Sequence, residues 1–240
     1  MNKGKFQISI VIPAFNEEKF ITSCLNSLVG QETTLDYEVI VVDNNSTDAT
    51  VKIAEDFKDR LDLRVIKEKK QGRGAARARG FKEAKGKIIL STDADTTLYK
   101  DWIGTLTKDI NDKVIATTTS CKIIDCSFLT NLVFNFIHPT MTLIYGYIFG
   151  NSWLFGFSFA ISKSVYEKAG GFDPNLQAQE DFDLGYRVCK LGKIKFINRP
   201  VTFSGRRFKD GLLVGIYDYI RSFTEAFIFK RKSVYVDNPR

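Results

Sequence analysis

The first hundred residues alternate short apolar runs with segments of helical spacing, and the polar clusters fall where the runs end. Gln7–Pro13 reads as a buried strand. Phe20, Ile21, Leu25, Leu28 and Val29 recur at helical spacing through Glu17–Gly30, and Gly30 is a plausible stop. Glu38–Val42 is a second apolar run, ended by Asp43. Ser46 or Thr47 is placed to cap the next helix, and Asp48 favours its first turn. Leu63–Ile66 is a third strand, Arg73–Lys85 a helix ended by Gly86, and Lys87–Thr92 a fourth strand. This alternation predicts an α/β fold: a mainly parallel sheet with helices on both faces. In such sheets ligands sit at the carboxyl ends of strands. Here those ends carry Pro13–Glu17, Asp43–Ser46 and Asp93–Asp95.

Composition narrows the chemistry. Four cysteines (Cys24, Cys121, Cys126 and Cys189) lack zinc-site spacing and the density of a secreted scaffold, so they read as reduced thiols. The opening MNKGKFQISIVIP passes from a short basic lead into a strand, which predicts a cytoplasmic protein. With His138 as the one histidine, histidine-based triads and zinc sites are nearly excluded. Catalysis then falls to carboxylates, arginines, lysines or backbone. The net charge of +7 suits phosphorylated small molecules or anionic lipid, and its scatter argues against nucleic acid.

Several clusters have the chemistry to form a site. Asp93 and Asp95 stand one residue apart after a buried strand, a pattern that suits a hard divalent ion and a bridging diphosphate; a surface turn is the bland alternative. Asp43 or Asn44 is placed to bind a base or ribose, while Ser46 or Thr47 caps. Pro13–Glu17 turns strand into helix, and Phe15 is suited to pack on a nucleobase. Gly72–Arg77 has the small residues of a phosphate loop but lacks its terminal Lys-Ser/Thr; Arg77 can fork onto phosphate or carboxylate. Glu180-Asp181 opens a helical pattern through Phe182, Leu184, Val188 and Leu191, as a general base or as helix-start charge.

Taken in order, SIVIPAFNEE (Ser9–Glu18), VIVVDNNSTDAT (Val39–Thr50), GRGAARARG (Gly72–Gly80), LSTDADT (Leu90–Thr96) and EKAGGFDP…QEDFDL (Glu167–Leu184) resemble the family-2 glycosyltransferases of the GT-A fold, over about residues 8–200. The resemblance implies an inverting, metal-dependent transfer of sugar from a nucleotide donor (UDP first, GDP second) to an acceptor hydroxyl or lipid-linked phosphate, with Mn²⁺ or Mg²⁺. Under it, Pro13, Phe15, Glu17 and Asp43, with Asn44 beside it, line the nucleoside pocket. Arg77 lies near the diphosphate. Asp95, with Asp93, holds the metal, and Asp93 also faces the nucleotide. Asp181 is the base of the Glu180-Asp181 pair. The segment containing Trp153 shapes the sugar and acceptor site. Two departures stand out. The family often has Asp-Asp-Gly-Ser where this chain has Asp43-Asn44-Asn45-Ser46. The Gln-x-x-Arg-Trp motif of processive synthases is absent, which argues for transfer of one sugar; Arg206-Arg207 stands ready for the diphosphate or acceptor.

The implied division is a catalytic domain over 1–205, with a nucleotide-binding half at 7–96 and an acceptor half at 97–205. A basic amphipathic tail follows at 206–240. Residues 127–162 contain no Asp, Glu, Lys or Arg. Within them, 128–150 is long enough to span a bilayer but is interrupted by Asn131, Asn135, His138 and Pro139. Three readings compete: a transmembrane helix, core and acceptor-site packing, and an interfacial hairpin broken at Pro139. The last is favoured, with Lys230, Arg231 and Lys232 helping a peripheral enzyme to the cytoplasmic face. Two rival functions remain, a nucleotidyltransferase and an inactive sugar-nucleotide or carbohydrate-binding module.

Overall fold

A computed structural model describes residues 6–208 together with Gly211, Val214, Gly215, Tyr217 and Arg221. The side chain of Arg207 and the basic residues Lys230, Arg231 and Lys232 lie outside what it describes. One mixed sheet organises the chain. Its first strands are β1 (Ile8–Ala14), β2 (Tyr37–Asp43), β3 (Leu63–Lys67) and β4 (Ile88–Thr92). β5 (Thr96–Thr97), β6 (Val114–Lys122), β7 (Ser158–Ser162) and β8 (Lys193–Phe203) complete it. The order is β3-β2-β1-β4-β7-β6-β8-β5. β3, β2, β1 and β4 run parallel, as the apolar runs predict; β7 enters antiparallel between β4 and β6, and β5 is antiparallel to β8.

Side-chain alternation splits the core between the two faces of the sheet. Ile8, Ile10, Ile12, Val39, Val41 and Leu90 face α1 (Ile21–Val29) and α4 (Trp102–Thr107). Val11, Ile40, Val42 and Ile89 face α3 (Arg73–Glu83) and α7 (Glu180–Val188). Strands buried on both sides read as unbroken apolar runs, which is why β1, β2 and β4 are so legible. β1 pairs with β2 on one side and β4 on the other, so the crevice at their carboxyl ends is a topological switch point.

The helix after β2 starts later than the capping residues suggest. α2 spans Thr50–Glu55, and neither Ser46 nor Thr47 caps it. The Asp43 carboxylate takes the Ser46 N–H and the Asn16 side-chain oxygen Oδ1 takes that of Thr47, so both residues are fastened to the strand ends. Asp48 instead accepts the Thr50 N–H. Asn45 has a φ of +70°. Asparagine tolerates that region, so the turn forms here without the glycine usual in the family.

The uncharged segment is not a broken hairpin. It forms one helix, α5 (Phe128–Phe149), that runs through Pro139. Ser127 caps its start, and Gly150 ends it at a φ of +67°. Around the proline the Thr140 and Thr142 hydroxyls donate to the carbonyls of Phe136 and His138, supplementing the helical ladder. By length and composition α5 is able to cross a bilayer. It lies along β6 and β8 instead, and β6 and β7 at its two ends are neighbours in one sheet. Its polarity is inverted for a helix in water. Asn131 and Asn135 bond backbone groups of Cys126 and Ile123, and Thr130 and Thr142 are buried. The exposed side chains are apolar or aromatic: Phe128, Leu132, Phe136, Ile137, Met141, Ile144 and Tyr147 among them.

Candidate active site

A cavity of about 580 Å³ opens at the carboxyl ends of β1 and β4. Pro13 reaches it from the end of β1, Phe15 and Glu17 from the turn that follows, and Asp93 and Asp95 from the turn after β4. Arg73 and Arg77 come from the start of α3, Glu180 and Asp181 from the start of α7, and Arg206 from the 3-10 turn Arg206–Phe208. Trp153 and Asn44 complete the predicted residues on its wall. Asp43 stands behind that wall: it ends β2 opposite Ala14, which does line the cavity.

Two arginines organise the acids. Arg206 forks onto Glu17, with Nη1 2.9 Å from Oε2 and Nη2 2.8 Å from Oε1. The same Nη2 is 2.6 Å from Asp95 Oδ2. Arg77, 1% exposed, donates to Glu180, to Asp93 Oδ1 at 2.5 Å and to Ser91 Oγ at 3.2 Å. Its fork is therefore engaged by carboxylates, where the sequence suggests a diphosphate contact. Asn44 is similarly committed. Its amide donates to the carbonyls of Glu68 and Lys70, and its oxygen accepts the Gly72 N–H, pinning the loop before α3. Glu180, 2% exposed and paired to Arg77, positions that guanidinium.

Asp181 is held differently. Its Oδ2 accepts the Gly156 N–H at 2.7 Å and its Oδ1 the Phe182 N–H at 2.9 Å. Gln179, with a φ of +62°, turns the chain so that both acids enter at the first turn of α7. A Cβ on Gly156 would lie 2.4 Å from Arg77 Nη2 and 3.0 Å from Asp181 Oδ2. Neither group can retreat, because each is tied to buried partners. Gly156→Ala is therefore expected to cost about 1–3 kcal/mol in urea unfolding. An unchanged midpoint would show that this wall yields.

Burial governs the electrostatics. It pushes Asp95 up to about 7 against the pull of Arg206. It also raises Glu17 and Glu180 above the ordinary carboxylate range, against Arg206 and Arg77 respectively. Burial alone would lower Arg77, but Asp93, Glu180 and Asp181 override it and hold the guanidinium charged. Five carboxylates and three guanidiniums line the cavity, a formal excess of two negative charges. That excess equals one divalent cation. The donors suit it too: Asp93 and Asp95 are hard oxygen ligands one residue apart, and Mg²⁺ typically takes one or two protein carboxylates. Among the described residues no cluster of three or more His, Cys, Asp or Glu forms a closed cage, so diphosphate and water would complete the shell.

The sequence reading named neither Arg73 nor Gln179 for the site; it placed Phe155, Gly156 and Phe157 only within the segment 151–174 that shapes the sugar and acceptor site, and it favoured an interfacial hairpin over acceptor-site packing for the stretch holding Phe134 and His138. Arg73 carried a signal, as part of the Gly72–Arg77 motif. That the two stretches build one wall carried no signal, because side chains from α5 and from the segment before β7 meet only in the fold.

Comparison with known proteins agrees with this geometry. The chain is 31% identical over 213 residues to the probable glycosyltransferase YdaM of Bacillus subtilis, covering 82% of this chain and 50% of that protein. It is 37% identical over 98 residues to the poly(ribitol-phosphate) β-N-acetylglucosaminyltransferase TarS of Staphylococcus aureus, covering 40% of this chain and 17% of TarS. It thus spans half or less of either relative. Among solved structures, TarS 1-349 in complex with UDP-GlcNAc superposes with a TM-score of 0.67 at 21% identity, over 83% of this chain and 59% of that one. The mannosyltransferase PcManGT from Pyrobaculum calidifontis, in complex with GDP-Man and Mn²⁺, gives 0.62 at 20% identity, over 91% and 65%. The fold is GT-A. Residues 9–170 match the model of glycosyl transferase family 2, and with the strand-end acids converging as that family's motifs imply, the chain belongs to it.

Proposed function

We propose that this protein transfers a single sugar from a nucleoside diphosphate donor to an acceptor with inversion at the anomeric carbon. The observation that carries this reading is the convergence of Glu17, Asp93, Asp95, Glu180 and Asp181 with Arg73, Arg77 and Arg206 on one cavity at the switch point of the sheet. Pro13 and Phe15 serve the nucleoside, and Asp43, behind the wall, fastens the turn after β1 through Ser46. Asp95 and Asp93 would hold Mn²⁺ or Mg²⁺, which when bound would offset negative charge on the leaving diphosphate. Arg206 is shared between Glu17 and Asp95, so a cation held by Asp95 would have to displace or share this guanidinium. Asp181, fixed by the Gly156 N–H, accepts the acceptor proton. As the acceptor oxygen bonds the anomeric carbon, the bond from that carbon to the diphosphate breaks. An acceptor phosphate, already ionised, would need Asp181 only for orientation.

The apolar outer face of α5 supports peripheral membrane contact. The setting we propose for it is the cytoplasmic face, in cell-envelope glycan or glycolipid synthesis. A thermal screen tests the core of the reading. A saturating UDP- or GDP-sugar with Mn²⁺ is expected to raise Tm by roughly 5 °C or more. No shift from any nucleotide-sugar with either metal would overturn it.

A further inference from the structure

The cavity has two chemically distinct ends. One holds the acids and arginines; the other is walled by Val133, Phe134, Ile137 and His138 of α5 and by Phe155 and Phe157. The two ends meet at Gly156. Its N–H holds Asp181, and its neighbours Phe155 and Phe157 stack with ring centroids 5.3 Å apart. His138 packs on Phe155 at 5.0 Å, and burial pushes its pKa down to about 4, so this wall is uncharged at neutral pH. A nucleotide and one sugar need the polar end. They give no reason for an apolar wall to reach the proposed base.

The wall also continues outside. Ile137 lines the cavity and is 46% exposed, beside Phe136 at 70% and Met141 at 51%. The cavity therefore shares a rim with the apolar outer face of α5. Its asparagines bond the protein backbone, and its exposed side chains are apolar or aromatic. Trp153 lies on the cavity wall, and its indole nitrogen is buried without a partner among the described residues. A buried N–H of this kind awaits an oxygen.

Resting on the transferase reading above, we propose that the acceptor is lipid-linked: its hydrocarbon chain lies along α5 and passes Ile137 into the aromatic wall, delivering a polar head to Asp181. The occupant of the α5 face is thus lipid, and continuity with the cavity is the reason to prefer it to a second copy of the chain.

The test uses Trp153 as reporter in the full chain carrying Trp102→Phe. A doxyl-labelled single-chain amphiphile, kept below its micelle concentration, is expected to quench the remaining emission by more than half. Trp153→Phe removes the quenched signal. A 20-carbon prenyl phosphate displaces the probe at a concentration at least about tenfold lower than a 5-carbon one, because each buried methylene adds affinity. Ile137→Asn weakens probe binding at least about tenfold, and Ile137→Met retains it. Equal displacement by both chain lengths overturns the proposal. So does quenching no greater than that of free N-acetyltryptophanamide; if the protein then sediments as a dimer, α5 belongs to a second copy. The donor-dependent Tm shift is measured on the same preparation. Its persistence without quenching sinks the acceptor class alone, and its absence sinks the transferase reading beneath it.

Discussion

Asp181→Asn is expected to slow transfer to a hydroxyl acceptor by about 10²–10⁴-fold, while the donor dissociation constant stays within about threefold. The amide has the shape of the carboxylate and its one oxygen still accepts the Gly156 N–H, while its NH2 gives up only the bond to the adjacent Phe182 N–H, so the longer-range tie is retained. What it loses is the ability to take a proton. Single-turnover transfer alongside donor titration by fluorescence separates the two effects. A loss under about tenfold would mean that the acceptor arrives ionised, as a phosphate, and that Asp181 only orients it. Loss of donor binding would instead place Asp181 in the donor site and remove it as the base.

The second large effect falls on stability. Arg77→Met removes the guanidinium shared by Glu180 and Asp93. Glu180 is 2% exposed and cannot be hydrated where it stands, so the variant keeps an uncompensated buried carboxyl. The expected cost is about 3–5 kcal/mol, a large share of the roughly 5–15 kcal/mol that holds a domain together. Asp93, with a side chain 26% exposed, is able to turn to water and adds less. The sign with pH follows from linkage. Burial already raises Glu180 above its ordinary value of 4.5, and loss of Arg77 raises it further. In the variant the folded state holds a proton that the unfolded state releases above about 4.5, so stability falls as pH rises from there. Urea unfolding at pH 5 and pH 8 reads this directly. Adding Glu180→Leu is expected to recover much of the loss and to flatten the pH dependence, because a buried pair replaced by apolar groups is often neutral. If the double variant is no more stable than Arg77→Met alone, the packing of Arg77 matters more than its charge.

The sequence by itself determined the frame. β1, β2 and β4 are buried on both faces, so their apolar runs are continuous and locally unmistakable, and the acids that follow them fall at strand ends by chain order alone. Pro13, Glu17, Asp93 and Asp95 were legible for that reason, and Glu180 and Asp181 as acids opening a helical pattern. The family resemblance supplied roles that spacing alone did not. Tertiary structure decided the rest. Arg77 and Glu180 lie 103 residues apart, and Arg206 and Glu17 lie 189 apart, so no local pattern reveals which guanidinium meets which acid. Asn44 read as a nucleotide ligand because its neighbours are; only the fold shows its amide committed to a loop 24–28 residues away. Pro139 read as a break, since its missing N–H weakens a helix, yet contact with β6 and β8 keeps α5 whole. The lack of charge in α5 was visible from the start. Which of its faces is covered is a property of the packed domain, because burial is decided by what lies opposite a side chain and not by what lies beside it in the chain.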